Sequence, residues 1–504
     1  MSDKARVRRI GRNAGFNVVR SIIGVVVAFA TGIVIARNLG PTQTGIYALA
    51  VWVAVATTIV FSDGLTHAIT KYVAQYDVRT QREEIGRIVR FGIRAQLVVA
   101  VIGACALALA SGLLADAFNT PDAQSLFAIA ALLVVSGALI QTFSAPINAL
   151  ERQGLLLPLK TIWVIAHLLV TAVVLVILDA GLDALLIAQV VVWVLLAGLH
   201  FAVLSRVVSI RATTAISPSS RRRIIRTATA LTVSGTLGLV VLTRSEVFML
   251  AYFSSASDVA FYSIAYAMSD ALQLVLPAAL IFAVSPSISR AFADGDLQFA
   301  RRAYEGQLRL TALAVTPIAV AGAVLASPVI NIFYGSDFGP AAVPLAVLLF
   351  AAGAKSLNFC AIWVLVASDR ERLVLWITAG GAVANLSLGL VLIPRFGVAG
   401  AAVSEALTQF LLTTASILVV WRAVGFVFPT AGFLRIFAAN VPVLVAVGLV
   451  AKIVDGELMT VVVGIAAVVP AYALSLWITG ALSPFEKQYL RERLAPARGG
   501  EPSE

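Results

Sequence analysis

Apolar stretches of about 20 residues recur along the whole chain, separated by short polar interruptions, of which every second one is rich in Lys and Arg. A helix rises about 1.5 Å per residue and the hydrocarbon core of a bilayer is about 30 Å thick, so each stretch has the length of one crossing. Fourteen can be delimited, at 15–36, 44–65, 92–115, 124–149, 158–178, 182–204, 227–252, 258–284, 308–332, 341–366, 373–393, 397–421, 434–452 and 458–481, and are numbered here as spans 1 to 14. None alternates with the two-residue period of a barrel strand. Because backbone in lipid must satisfy its polar groups within its own segment, the pattern predicts an all-α integral membrane protein.

Composition agrees: 60% of residues are hydrophobic and 12% charged, against about 25% charged in soluble domains, and the mean hydropathy is +0.96. The formal net charge of +11 would suit nucleic acid, but its placement suits a membrane better. Of the 37 Lys and Arg, 31 fall on the side that holds both termini, three (Arg37, Arg395, Lys452) on the opposite side and three (Arg20, Arg244, Lys355) within spans. Short basic loops stay in the cytoplasm, which places both termini inside a cytoplasmic (inner) membrane, with the basic loops facing anionic headgroups. The basic start followed by an apolar stretch is not read as a cleaved signal, since TGIVIA continues the stretch and losing span 1 would break the charge alternation. Cys105 and Cys360 lie in apolar runs, and His67, His167 and His200 have no ligand spacing, so neither a metal nor a cofactor is expected.

Two phrases match across the chain, ARNLGPTQTGIYALA at 36–50 and AYFSSASDVAFYSIA at 251–265. A shift of 215 brings Tyr47 onto Tyr262, Ala50 onto Ala265, Phe118 onto Phe333 and Val176 onto Val391, and a shift of 216 brings Gly181 onto Gly397. The register holds over about six spans, so the chain reads as a duplicated six-helix unit whose copies share one orientation about an axis along the membrane normal. The expected organisation is a basic N-terminal tail (1–13), a first lobe (14–205, spans 1–6), a basic linker (206–226), a second lobe (227–423, spans 7–12), an appended pair (424–482, spans 13 and 14) and a cytoplasmic tail (483–504). Tyr47 and Tyr262 are expected at equivalent outer interfaces with wet hydroxyls.

The first phrase resembles the opening signature of polysaccharide and O-antigen flippases, in the multidrug, oligosaccharidyl-lipid and polysaccharide exporter superfamily. EVFMLAYFSSASDVAFYSIAYA (246–267) resembles that family's seventh-to-eighth helix segment, and VLIPRFGVAGAAVSEAL (391–407) is similar to its twelfth-helix start. The likeness covers most of 10–425. It implies two six-helix lobes around a central cavity, alternately open to each side, carrying a lipid-linked sugar from the inner to the outer leaflet.

Charges inside spans are costly, about 2.5–3.5 kcal/mol near a helix centre, and so mark protein interior or wet cavity. Arg20 shares a face with Asn17, Gly24, Ala28, Gly32 and Ala36, so it faces another helix, or else snorkels to the inner surface. In TRSEVF of span 7, Glu246 shares a face with Thr243, Thr236 and Thr232, while Arg244 projects about 200° away and either serves the cavity or snorkels to the nearby outer surface. The resemblance puts Glu246 where the family commonly has an Asp, whereas Val247 stands where an Arg is usual, a departure from the family's acid–base pair. Span 8 aligns Tyr266, Asp270, Gln273 and Pro277, and span 10 aligns Lys355 and Asn358; Asp270 and Lys355 are candidates either for function or for a structural pair. Glu405 falls on Gln189 at the 216 shift and reads as a packing position.

The expected substrate-binding residues are therefore Arg20, Arg244 and Lys355, holding the diphosphate of a polyprenyl-linked oligosaccharide; Glu246 and Asp270 are the coupling-ion or gating candidates, for H⁺ or Na⁺. Membrane lipids and a glycan polymerase machinery are the expected partners, and nucleic acid is not. Outer loops of about a dozen residues at most leave no room for sugar chemistry, so no enzyme is expected. Three alternatives stay open: a lipid II flippase, as likeness to lipid II exporters and a tail groove at spans 13 and 14 imply; a cation-coupled multidrug antiporter of the same superfamily; and a membrane glycan polymerase or ligase.

Overall fold

The computed structural model describes residues 3–76, 81–208 and 216–481, without the side chains of 3–23, 239, 240, 243 and 273–283. Every regular element among the described residues is helical. Ten stretches are long and apolar enough to cross a membrane. Two of them carry two crossings each, because the chain doubles back at Gly40 (φ 71°) and at Gly397 (φ 53°), a left-handed backbone that favours glycine. With 218–253 and Ala256–Ala293, the described residues make fourteen crossings.

Local chemistry explains the turns in the repeated phrases. After Gly40, Pro41 opens span 2 with its ring already at a helical φ. In the second copy Ser255 caps span 8, its hydroxyl accepting from the Asp258 N–H at 3.2 Å, while the Ser254 hydroxyl donates to the Asp258 carboxylate.

The core is divided by depth into the half that carries the turns at Gly40 and Gly397, named outer after the orientation expected from the basic loops, and the opposite half, named inner. In the outer half one continuous cluster joins both halves of the sequence, from Leu49 and Phe127 through Leu185 to Val247, Tyr262 and Phe338. In the inner half there are two separate clusters, one around Ile69, Ile88 and Ile147, the other around Tyr304, Leu308 and Val364. Spans 13 and 14 (430–453 and Glu457–Ile478) pack on span 9 through Leu325, Val443 and Val447.

Among the described residues the two halves of the sequence meet at both ends. Outside, a Cβ on Gly45 would lie 1.7 Å from the Ala256 carbonyl oxygen, and Arg37 donates to the Phe333 carbonyl at 2.9 Å. Inside, a Cβ on Gly64 would lie 2.1 Å from the Ala228 oxygen, and the Tyr72 and Thr227 hydroxyls are 2.9 Å apart. Span 2 passes through a π-turn at Ile59–Asp63 and span 7 through one at Thr236–Val241, and the two wide turns pack against each other. Below its π-turn, span 7 (Pro218–Gly235) packs on span 2; above it, Leu242–Phe253 packs on spans 11 and 12.

Candidate functional site

The intramembrane charges of spans 7, 8 and 10 converge near mid-membrane. The Arg244 guanidinium sits between two ring faces, 3.8 Å from the Trp52 centroid and 4.0 Å from that of Tyr266. Cation–π contacts of this kind stabilise by about 0.5–2 kcal/mol while leaving the N–H edge unused. Among the described residues Arg244 forms no ion pair. Lys355 lies 3.3 Å from both the Tyr266 hydroxyl and Asp270 Oδ1, and this pair is partly exposed, 19% for Lys355 and 31% for Asp270. Tyr266 thus touches both cations and joins them in one site.

Behind them lies an acidic network. Asn385 donates to Glu246 Oε1 at 2.5 Å and accepts from Ser245 Oγ at 2.6 Å; it also reaches Glu405 Oε2 at 3.5 Å. Gln409 donates to Glu405 Oε1 at 3.0 Å. Glu246 and Glu405 are buried, and Glu246 Oε2 has no hydrogen-bond partner among the described residues. The hollow between Tyr266, Asp270, Lys355 and Glu405 is about 10 Å³, room for about one water. Among the described residues the charges are gathered around a hollow smaller than a diphosphate.

A larger cavity of about 810 Å³ lies in the inner half of the first copy, among spans 1, 2, 4, 5 and 6. Trp163 and Trp193 meet edge-on there at 5.7 Å, and His67, His200, Gln141 and Asn148 add polar groups. Trp163 Nε1 is buried without a hydrogen-bond partner among the described residues.

Arg244, Glu246, Asp270 and Lys355 are brought together, with Arg244 and Glu246 turned to different neighbours; the Arg20 side chain lies outside the described residues, as do those of Gln273 and Pro277. Three expectations need correction. Glu246 does not share a face with Thr232: the π-turn between them adds a residue to the turn and rotates the register, so Thr232 meets Gly64 while Glu246 meets Asn385. Tyr47 and Tyr262 do not hold wet hydroxyls. Tyr47 donates to Gln189 at 2.9 Å inside the first copy, and Tyr262 is fully buried with its ring 5.9 Å from that of Tyr266. Glu405 is more than a packing position, since it belongs to the acidic network. Its alignment with Gln189 was the available signal: Gln189 bonds Tyr47 and Thr171, so the same place in each copy holds buried polar groups, neutral in one and acidic in the other. Trp52 and Asn385 had no signal in the sequence, as nothing in their own segments points to Arg244 or Glu246. Among the described residues no His, Cys, Asp and Glu group could hold a metal.

Among the described residues, fourteen crossings in two six-helix copies plus an appended pair, with acidic and basic side chains gathered between the copies, define a multi-pass all-α membrane protein. Solved structures share the fold. A lipid II flippase, MurJ, in an inward closed conformation superposes with a TM-score of 0.78 at 14% identity, over 94% of this chain and 99% of that one. A multidrug resistance MATE family transporter of the MOP superfamily, inward-facing, gives 0.64 at 13%, over 80% and 96%. The Vibrio cholerae MATE transporter VcmN, in its bent form, gives 0.56 at 15%, over 82% and 97%. Comparison with curated proteins gave no match. Residues 34–343 match the model of the polysaccharide biosynthesis protein family, and the chain belongs to that family.

Proposed function

We propose that this protein is a flippase that carries a polyprenyl-diphosphate-linked oligosaccharide from the cytoplasmic to the outer leaflet for cell-surface polysaccharide synthesis. Its two lobes, 14–205 and 227–423, alternate in access about the charge cluster, both termini lie in the cytoplasm, and no bond is made or broken. The observation that carries the reading is Arg244, a guanidinium held at mid-membrane on two aromatic faces with no carboxylate paired to it among the described residues. Such a group is poised for an anion. Lys355 joins it when its contact with Asp270 opens, and Arg20 meets the head group on its way from the inner surface. The amphiphilic cavity beside Trp163 and Trp193 suits the sugar, whose C–H faces pack on rings while its hydroxyls meet amides and imidazoles.

A diphosphate carries about two negative charges, and an inside-negative potential favours each outward charge by about 2.3 kcal/mol per 100 mV. Potential alone therefore drives export. Glu246 and Asp270, with Glu405 now added, reset the lobes by taking up H⁺ or Na⁺ once the cargo has left.

Lipid II as cargo is a second reading, favoured by the match to MurJ over 94% of this chain. Gene deletion with lipid extraction separates the two. Accumulation of an oligosaccharide-linked polyprenyl lipid on the cytoplasmic side supports the proposal; accumulation of lipid II alone supports the alternative; neither accumulating rejects both.

A further inference from the structure

A cavity of about 870 Å³ on the cytoplasmic half of the molecule, between spans 2, 3 and 7, plays no part in the cluster just described. Its cytoplasmic end is basic, with Arg87, Arg90 and Arg94 on the helix Arg82–Ala117 that contains span 3 and Arg221 on the Pro218–Gly235 part of span 7. Its upper walls are apolar, formed by Phe61, Leu65, Val98 and Val233. Arg87 is already paired with Glu83 and Glu84, at 2.7 and 3.0 Å. Arg94 is exposed, and Arg221 leans over the Phe91 ring at 5.9 Å. Val98 (58% exposed) and Val233 (56%) open the groove sideways toward lipid.

Depth and charge define what fits. From Arg87 to Val99 the groove follows span 3 for about 18 Å, one headgroup and one leaflet of a core about 30 Å thick. It also flanks the inner seam, where Gly64 meets Ala228. A molecule seated there touches spans 2 and 3 on one side and the inner half of span 7 on the other.

We propose that an anionic phospholipid of the cytoplasmic leaflet occupies this groove, its phosphate on Arg94 and Arg221 and an acyl chain against Phe61, Leu65 and Val98, and that it braces the inner half of span 7 against spans 2 and 3. The occupied groove holds the cytoplasmic side shut, so the lipid around the protein sets how often it opens. This is independent of the cargo.

The test uses the full chain in nanodiscs of phosphatidylglycerol or phosphatidylcholine. Native mass spectrometry reads retained lipid, and spin labels on A74C and S219C, in a background lacking Cys105 and Cys360, read the inner seam. Wild type is expected to retain phosphatidylglycerol preferentially and to narrow the label distance in it; R94Q/R221Q retains about thirtyfold less, at about 1 kcal/mol per Arg, and loses the narrowing. R94K/R221K, which keeps the charge, and R370Q/R372Q, on another basic loop, behave as wild type. Equal retention of the two lipids, a wild-type R94Q/R221Q, a loss in R94K/R221K, displacement of phosphatidylglycerol by equimolar polyprenyl diphosphate, or bound lipid with an unchanged distance would each overturn the proposal.

Discussion

The hydroxyls of Thr42 and Ser257 lie 2.9 Å apart, and the two residues are 215 positions apart in sequence. That is the offset relating the two copies of the repeat, so a residue here touches its own counterpart. Only a point on a two-fold axis can do so. The pseudo-symmetry axis therefore leaves the molecule between the two turns that carry the matching phrases, and the outer seam is built around it.

Filling that seam should open it. Gly45→Val puts a side chain where Ala256 already stands, an overpacking of about 1–3 kcal/mol and so an expected shift of about 5- to 150-fold toward the outward-open form. Ala260 lies one turn deeper than Ala256 and is fully buried, so A260C should react with an impermeant maleimide from outside in G45V and resist it otherwise. Protection in both would refute the axis-side seam.

Gly64→Val is the inner counterpart, against Ala228 and Thr232. It should expose T227C to reagent added on the cytoplasmic face while leaving A260C protected. Exposure on both faces would mean general unfolding rather than gating.

Arg244 should be needed for cargo and its two rings should matter less. R244Q should abolish export with normal expression, and Trp52→Ala should weaken it about tenfold, as befits the loss of one cation–π contact. Export assayed by surface glycan decides this, and an R244Q variant with wild-type export ends its assignment.

Neutralising Lys355 and Arg20 together, K355Q/R20Q, should cripple translocation while leaving the protein folded. Surface glycan at the wild-type level in that double variant would remove both residues from the cargo path.

The acidic network should separate stability from coupling. Asn385→Leu deprives buried Glu246 of its donor and should cost about 1–3 kcal/mol, read as a lower Tm in detergent. Glu405→Gln keeps the shape that Gln189 has in the first copy, so its Tm should hold while any response of transport to Na⁺ or pH is lost. A retained response would confine Glu405 to packing.

Much of this architecture is written along the chain. Span number, the repeat and the candidates Arg244, Glu246, Asp270 and Lys355 are legible because the cost of a charge in lipid acts residue by residue. Pairing of Lys355 with Asp270 is one of the two readings that the sequence leaves open, and the two groups lie 3.3 Å apart. What escapes is set between segments. Trp52 lies about two hundred positions from Arg244, and an aromatic residue in an apolar span carries no mark of the cation it will meet. The face shared by Glu246 and Thr232 fails for a different reason, because helical-wheel reasoning assumes 3.6 residues per turn and Thr236–Val241 does not keep it.

Those wide turns have a mechanical meaning. Converting one to an ordinary turn takes a residue out of the coil and swings everything beyond it through about 100°. In span 7 that would carry Thr232 off Gly64 without disturbing Glu246 or Asn385. A door at that end would therefore have its own bearing, in the middle of a helix, and its leaf would swing while the other half of the frame stood still.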